Sequence, residues 1–314
     1  MKRLVNALAI LLLVVAVPDV VEAGSPTKTP DFSAEADVAH IAGDLATLWD
    51  DDPGVFRRIE AVRTHLIDVR RRGGDIRRVD VARKLAVIGD EALVPMLWRI
   101  AADDPMESGM DLRTWRAWRI GLLEAVGRLR DERSLPVLET VITGADPHSP
   151  VRQVATSALG RVGDDESLQR LVEYAETTTP RRRKAIVAGL GDGRRMVALD
   201  YLLERADESS VPSERRAAIR SLGDWANQWA WETSELESRR GEGRTGRQRI
   251  IRHLVEWFPE FDKDLREEAV KSLQLAGSAE ARARVRKEMS ATDHRGKRGA
   301  WSELFERLAD APLD

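Results

Sequence analysis

Five histidines, His40, His65, His148, His253 and His294, are the first side chains to test for catalysis or metal binding, and they lie far apart. A zinc hydrolase needs two histidines one helical turn apart with a glutamate beside them, and no HExxH occurs. There is no glycine-rich phosphate loop, no G-x-S-x-G elbow and no cysteine to act as a nucleophile. Asp50-Asp51-Asp52 spreads its carboxylates at successive positions, which suits an acidic turn better than a calcium loop. No cofactor, metal or catalytic residue is expected. Arginine offers more. Six stand between Arg239 and Arg252 (Arg239, Arg240, Arg244, Arg247, Arg249 and Arg252) against Glu242 alone, a patch suited to carboxylates or phosphates. Tryptophan is the other outlier, with nine against two tyrosines. Trp115 and Trp118 can share a helix face, as can Trp225 and Trp229. Such pairs either fill core between helices or, at Trp115 and Trp118, form an aromatic platform for a glycan or peptide.

The elements that carry these residues recur. Arg78, Arg119, Arg152, Arg183, Arg215 and Arg266 are each followed seven residues on by Leu85, Val126, Leu159, Leu190, Leu222 and Leu273. Those closing positions fall 41, 33, 31, 32 and 51 residues apart, the signature of stacked repeats with two stretched connections. Val151, Val154, Ala155, Ala158 and Leu159 make one apolar stripe at helical spacing. Gly127, Gly160, Gly191 and Gly223 follow the stripes and are expected to end the helices through positive φ. Asp90, Asp131, Asp164, Asp192 and Asp224 come next and are expected to cap a second helix. The fold is therefore all-α, an α-solenoid of stacked antiparallel helix pairs. The arginines, one per unit, are expected to form an Arg–Asp ladder with loops such as Asp103-Asp104-Pro105 and Ala145-Asp146-Pro147, fixing the stacking angle.

Ser157-Ala158-Leu159-Gly160-Arg161-Val162-Gly163-Asp164 and Ile88-Gly89-Asp90-Glu91-Ala92-Leu93-Val94-Pro95-Met96-Leu97 resemble the HEAT-like repeats of the phycobilisome-lyase type. The resemblance covers about residues 78–290, strongest in the first four units. It implies a helix-pair solenoid, a fold that serves lyases, scaffolds and adaptors alike. No histidine is followed by glutamate, so the His-Glu pairs of the iron-dependent HEAT hydroxylases are absent.

The ends give an address and a domain plan. Lys2 and Arg3 precede an apolar run from Leu4 to Val17, and Val21-Glu22-Ala23 offers small residues where a signal peptidase reads. Export to the periplasm or beyond is expected, with cleavage after Ala23 and no stable membrane span thereafter. Residues 1–23 are the signal, 24–32 a linker, and 33–72 a capping helix pair. Repeats one to five occupy 73–231. An insertion at 232–264 begins polar, passes Gly241, Gly243 and Gly246, and then offers one extra helix. Residues 265–291 form the last repeat and 292–314 a capping helix. Residues 31–54 carry seven acids and no Lys or Arg, so the array is expected to be acidic at its N-terminal end and basic toward its C-terminal end.

A net charge of −3 excludes a generic polyanion binder, and nucleic acid is not an expected partner. The expected function is a non-enzymatic exported scaffold or adaptor whose insertion holds a protein partner in the cell envelope. The alternatives are an enzyme of the HEAT-repeat lyase type acting on a small ligand, or the aromatic-platform binder.

Overall fold

Fourteen α-helices and no strand make up the described residues, which are 44, 48, 51–102, 109–146 and 148–309 of this computed structural model. The segments expected to be a signal, a linker and most of the first capping helix lie outside them, as do residues 103–108 of the first stretched connection. All described residues belong to one unit running from Phe32 to Asp314.

The helices are α1 (Pro53–Arg71), α2 (Val81–Ala86), α3 (Leu93–Ala102), α4 (Leu112–Leu129), α5 (Leu135–Thr143), α6 (Ser149–Val162) and α7 (Asp165–Thr177). Then come α8 (Pro180–Gly189), α9 (Met196–Glu208), α10 (Pro212–Ala226), the single turn α11 (Gln228–Trp231), α12 (Arg240–Trp257), α13 (Lys263–Ala291) and α14 (Arg295–Arg307). First helices stack in one layer, α2 on α4, α4 on α6, α6 on α8, α8 on α10 and α10 on α13. Second helices form a looser layer, with α7 against α9 and α9 against α12. All six closing residues, from Leu85 to Leu273, are fully buried between the layers.

The repeated glycine does a different job from the expected one. Helix α6 runs through Gly160, α4 through Gly127 and α10 through Gly223, none with positive φ. Instead they let a first helix touch the backbone of the next unit. A Cβ at Gly127 would lie 2.7 Å from Ala158 Cα, one at Gly160 2.7 Å from Gly193 N, and one at Gly223 2.8 Å from Ser272 Cα. That close approach is why the first-helix layer is the tighter one. Positive φ does follow α1 at Gly73 and α2 at Gly89, and Gly277, at φ 130°, divides α13 into the two helices of unit six.

The aspartates divide as well. Asp164 caps α7, its carboxylate accepting from Ser167 N at 2.8 Å, and Asp131 accepts from Arg133 N to start a 3-10 turn. Asp192 and Asp224 cap no helix, and the Asp192 carboxylate binds side chains instead.

The segment 232–264 is no insertion outside the repeat. Its helix α12 packs against α10, α9 and α13, and so supplies the second helix of unit five. Helix starts at Arg240, so Gly243 and Gly246 lie inside it rather than in a loop. They make room for Trp231 and Trp225, whose rings a Cβ would meet at 2.5 Å and 2.1 Å. The Trp231 indole N–H donates to Trp225 O at 2.7 Å, locking the two rings 4.9 Å apart. At the far end Trp301 and Leu304 of α14 cover the last unit.

Candidate interaction surfaces

Four of the repeated arginines, Arg119, Arg152, Arg215 and Arg266, reach main-chain carbonyls; the Asp103-Asp104-Pro105 loop expected beside Arg119 lies outside the described residues. Arg152 is 3% exposed and donates to three main-chain carbonyls, Ile142 at 2.7 Å, Asp146 at 2.8 Å and Gly144 at 3.0 Å. These lie at and just beyond the C-terminus of α5, the second helix of the preceding unit. Arg119 donates to Ile100 O at 2.9 Å, Arg215 to Ala206 O at 2.7 Å and Arg266 to Pro259 O at 3.0 Å. The recurring device is thus an arginine of one unit capping the carbonyl end of the helix before it, where the macrodipole is negative. An Arg–Asp ladder is not what Arg152 makes. It takes Asp146 through the main chain, and the Asp146 carboxylate accepts from His148 N instead. Carbonyls win because a helix end presents several unsatisfied ones whatever the loop sequence. Arg183 departs from the row, pairing at 3.1 Å with the fully buried Glu214 of the next unit. Among the described residues Arg78 has neither kind of partner, and it stands exposed.

The aromatic platform is overturned by burial. Trp118 is fully buried and Trp115 only 7% exposed, so neither ring face can receive a sugar or peptide. Their helix α4 needs both rings to fill the space toward its neighbours, with Arg119 lying over Trp115 at 5.3 Å. Among the described residues the exposed indole is that of Trp229, at 46%.

The arginine-rich stretch forms much of α12, and internal pairing uses up half of it. Arg239 binds Glu242 through two bonds of 3.0 and 2.6 Å, Arg240 lies 3.7 Å from Glu237, and Arg249 meets Asp200 of α9 at 2.6 Å. Arg244, Arg247 and Arg252 have no carboxylate partner among the described residues. Arg252 only approaches the ring of His253, at 3.3 Å.

Sequence reasoning missed a charged cluster at the turns between first and second helices. Asp192 accepts from the Ser157 hydroxyl, from Arg161 at 2.8 Å and from Arg194 at 3.3 Å. Burial pushes its carboxyl up, but Arg161, Ser157 and Arg194 outweigh that and hold it below the usual range. Asp224 has no such company. Crowding by surrounding protein, then the negative charge of Asp192, raise it to about 6 although its side chain reaches solvent. No pattern in the sequence links these groups, because the link is made between units. No group of residues suited to a metal ion occurs among the described residues. Asp52 of the acidic triplet caps α1, accepting from Gly54 N at 2.9 Å.

The acidic segment 31–54 lies mostly outside the described residues; after it, between Arg57 and Lys84, ten cationic side chains stand against four carboxylates, so the described residues there are basic.

Comparison with known families agrees with the architecture. Residues 116–191 and 142–223 match the model for HEAT repeats. Residues 116–223 thus carry HEAT repeats, within an all-α, solenoid-like fold. No curated protein matches the chain. No helix among the described residues is long and apolar enough to cross a membrane.

Proposed function

We propose that the chain is an exported, non-enzymatic scaffold that holds a protein partner in the cell envelope through helix α12. One observation carries the reading: after internal pairing, Arg244, Arg247 and Arg252 have no carboxylate partner among the described residues and sit on an outer-layer helix. Uncompensated arginine on a rigid repeat surface is a common anchor for a partner's carboxylates. Export rests on the signal-like segment ending at Ala23. The repeats are proposed to be of the phycobilisome-lyase type on the strength of Ser157–Asp164 and Ile88–Leu97, without the lyase activity.

Deleting 232–264 would be a poor test, because it removes the helix that packs Trp225 and Trp231. Charge reversal at exposed positions is cleaner. Tagged protein carrying Arg244→Glu and Arg247→Glu is cross-linked in its own cell envelope and compared with wild type. A defined set of envelope proteins should be captured by wild type and lost from the variant. Identical recovery from both would sink the role of α12, and N-terminal sequencing of the mature chain checks cleavage after Ala23.

A further inference from the structure

We propose that the N-terminal end of the array carries a second docking groove, whose occupant is an acidic amphipathic helix of another protein. It does not rest on the α12 reading and lies at the other end of the stack.

Three observations meet there. The first is shape: α1, the turn before α2, and α2 enclose an open groove of about 640 Å³. That falls within the range of ligand sites, roughly 300–1,000 Å³. The second is an uncovered apolar floor. Val87 is 80% exposed, and Val62 and Ile88 line the groove beside it. A valine this exposed next to other apolar side chains is what a helix-in-groove partner covers.

The third is charge. Arg78, Arg83 and Lys84 rim the groove, and none has a carboxylate partner among the described residues. Neighbouring charges are already committed. Asp80 caps α2 by accepting from Arg83 N at 3.0 Å, and Arg58 is paired with Glu91 at 3.2 Å. Arg78 is the telling member, because it is the unit-one copy of the arginine that elsewhere meets the carbonyl end of a preceding helix or a buried glutamate. At the end of the array no described neighbour supplies that group. A partner helix with carboxylates flanking its apolar face would supply it and cover Val87 together.

The test uses the full chain and a fluorescein-labelled synthetic 15-residue helix with leucines on one face and glutamates flanking them. Anisotropy should rise saturably and weaken with added salt. Arg83→Glu with Lys84→Glu should weaken binding about tenfold, as should Val87→Asp, while circular dichroism stays unchanged. These side chains are exposed, so the fold does not depend on them. Arg244→Glu with Arg247→Glu on α12 should leave peptide binding untouched, which keeps failure here distinct from failure of the α12 surface. A lysine-flanked peptide should not bind. Equal binding by a scrambled peptide of the same composition, or by the groove variants, would overturn the proposal. So would vesicles with anionic headgroups binding with the same residue dependence, which would make the groove a membrane contact. A dimer lost on Arg83→Glu with Lys84→Glu would overturn it as well, assigning the groove to a second copy of the chain.

Discussion

Replacing Arg152 by methionine should cost more stability than removing any surface arginine, because the substitution keeps the aliphatic stem and deletes only the buried guanidinium. Three carbonyls then lose their donor: Ile142, Gly144 and Asp146. Charge-assisted hydrogen bonds contribute roughly 1.5–3 kcal/mol each, so three set an upper bound well above the true loss. Two effects reduce it. Burial, with Arg182 nearby, already pulls the Arg152 guanidinium below the ordinary arginine range, so part of its bonding offsets its own desolvation. Water can also reach the half-buried Gly144 and Asp146. A net loss of about 3–4 kcal/mol remains, a fall in Tm of roughly 6–12 °C if unfolding is cooperative. Thermal melting with amide exchange is the assay, and exchange should rise first over residues 143–148. Arg215→Met, which loses one carbonyl bond at 2.7 Å and its place over Phe261, should cost about 1.5–3 kcal/mol. Arg244→Met should stay within about 0.5 kcal/mol. An unshifted Arg152→Met transition, or the reverse order among the three, would refute arginine capping as the device that registers the units.

Other perturbations separate packing from surface. Gly246→Ala drives a Cβ to 2.1 Å from the Trp225 ring and should destabilise by about 1–3 kcal/mol, whereas Gly241→Ala meets open space and should gain up to about 1 kcal/mol; paired melts decide this. Asp224 is raised to about 6 in the folded chain, so folding favours its protonated form, and that contribution, present below about pH 4, is lost as pH rises through 6. Asp224→Asn should therefore stabilise the protein at pH 7.5 and change little at pH 3.5, by under about 1 kcal/mol because the side chain reaches solvent; a larger gain at the lower pH would reverse the sign. Trp118→Ala should cost about 3–5 kcal/mol by chemical denaturation, and a near-neutral effect would reopen its role as a surface aromatic.

The repeat was legible because each unit must bury the same stripe in the same phase. The arginine-to-closing-residue spacing recurs six times, and all six closing residues are buried. Helix pairs followed, and Asp164 caps as its position implied. Glycine misled, because one residue type serves both positive φ and close approach. Only a neighbour's position tells Gly160, pressed toward Gly193, from Gly277, which bends the chain. The same ambiguity turned Gly243 and Gly246 into an imagined loop. Tryptophan spacing fixed a shared helix face at Trp115 and Trp118, yet said nothing of whether that face looked inward.

What the sequence determined by itself is the periodic part: helix pairs, each first helix closing on a buried apolar residue, since local hydrophobic spacing fixes local structure. What the tertiary structure decided is every pairing between units. Arg152 meeting carbonyls rather than an aspartate, Asp192 gathering Arg161 and Arg194, α12 entering the stack in spite of its polar approach, and Arg78 left over at the end all depend on how one unit sits on the next. The physical reason is that a side chain's partner is chosen by distance in space. In a stack that distance is set by the contact of neighbouring backbones, a few ångströms that a single unit's sequence does not encode.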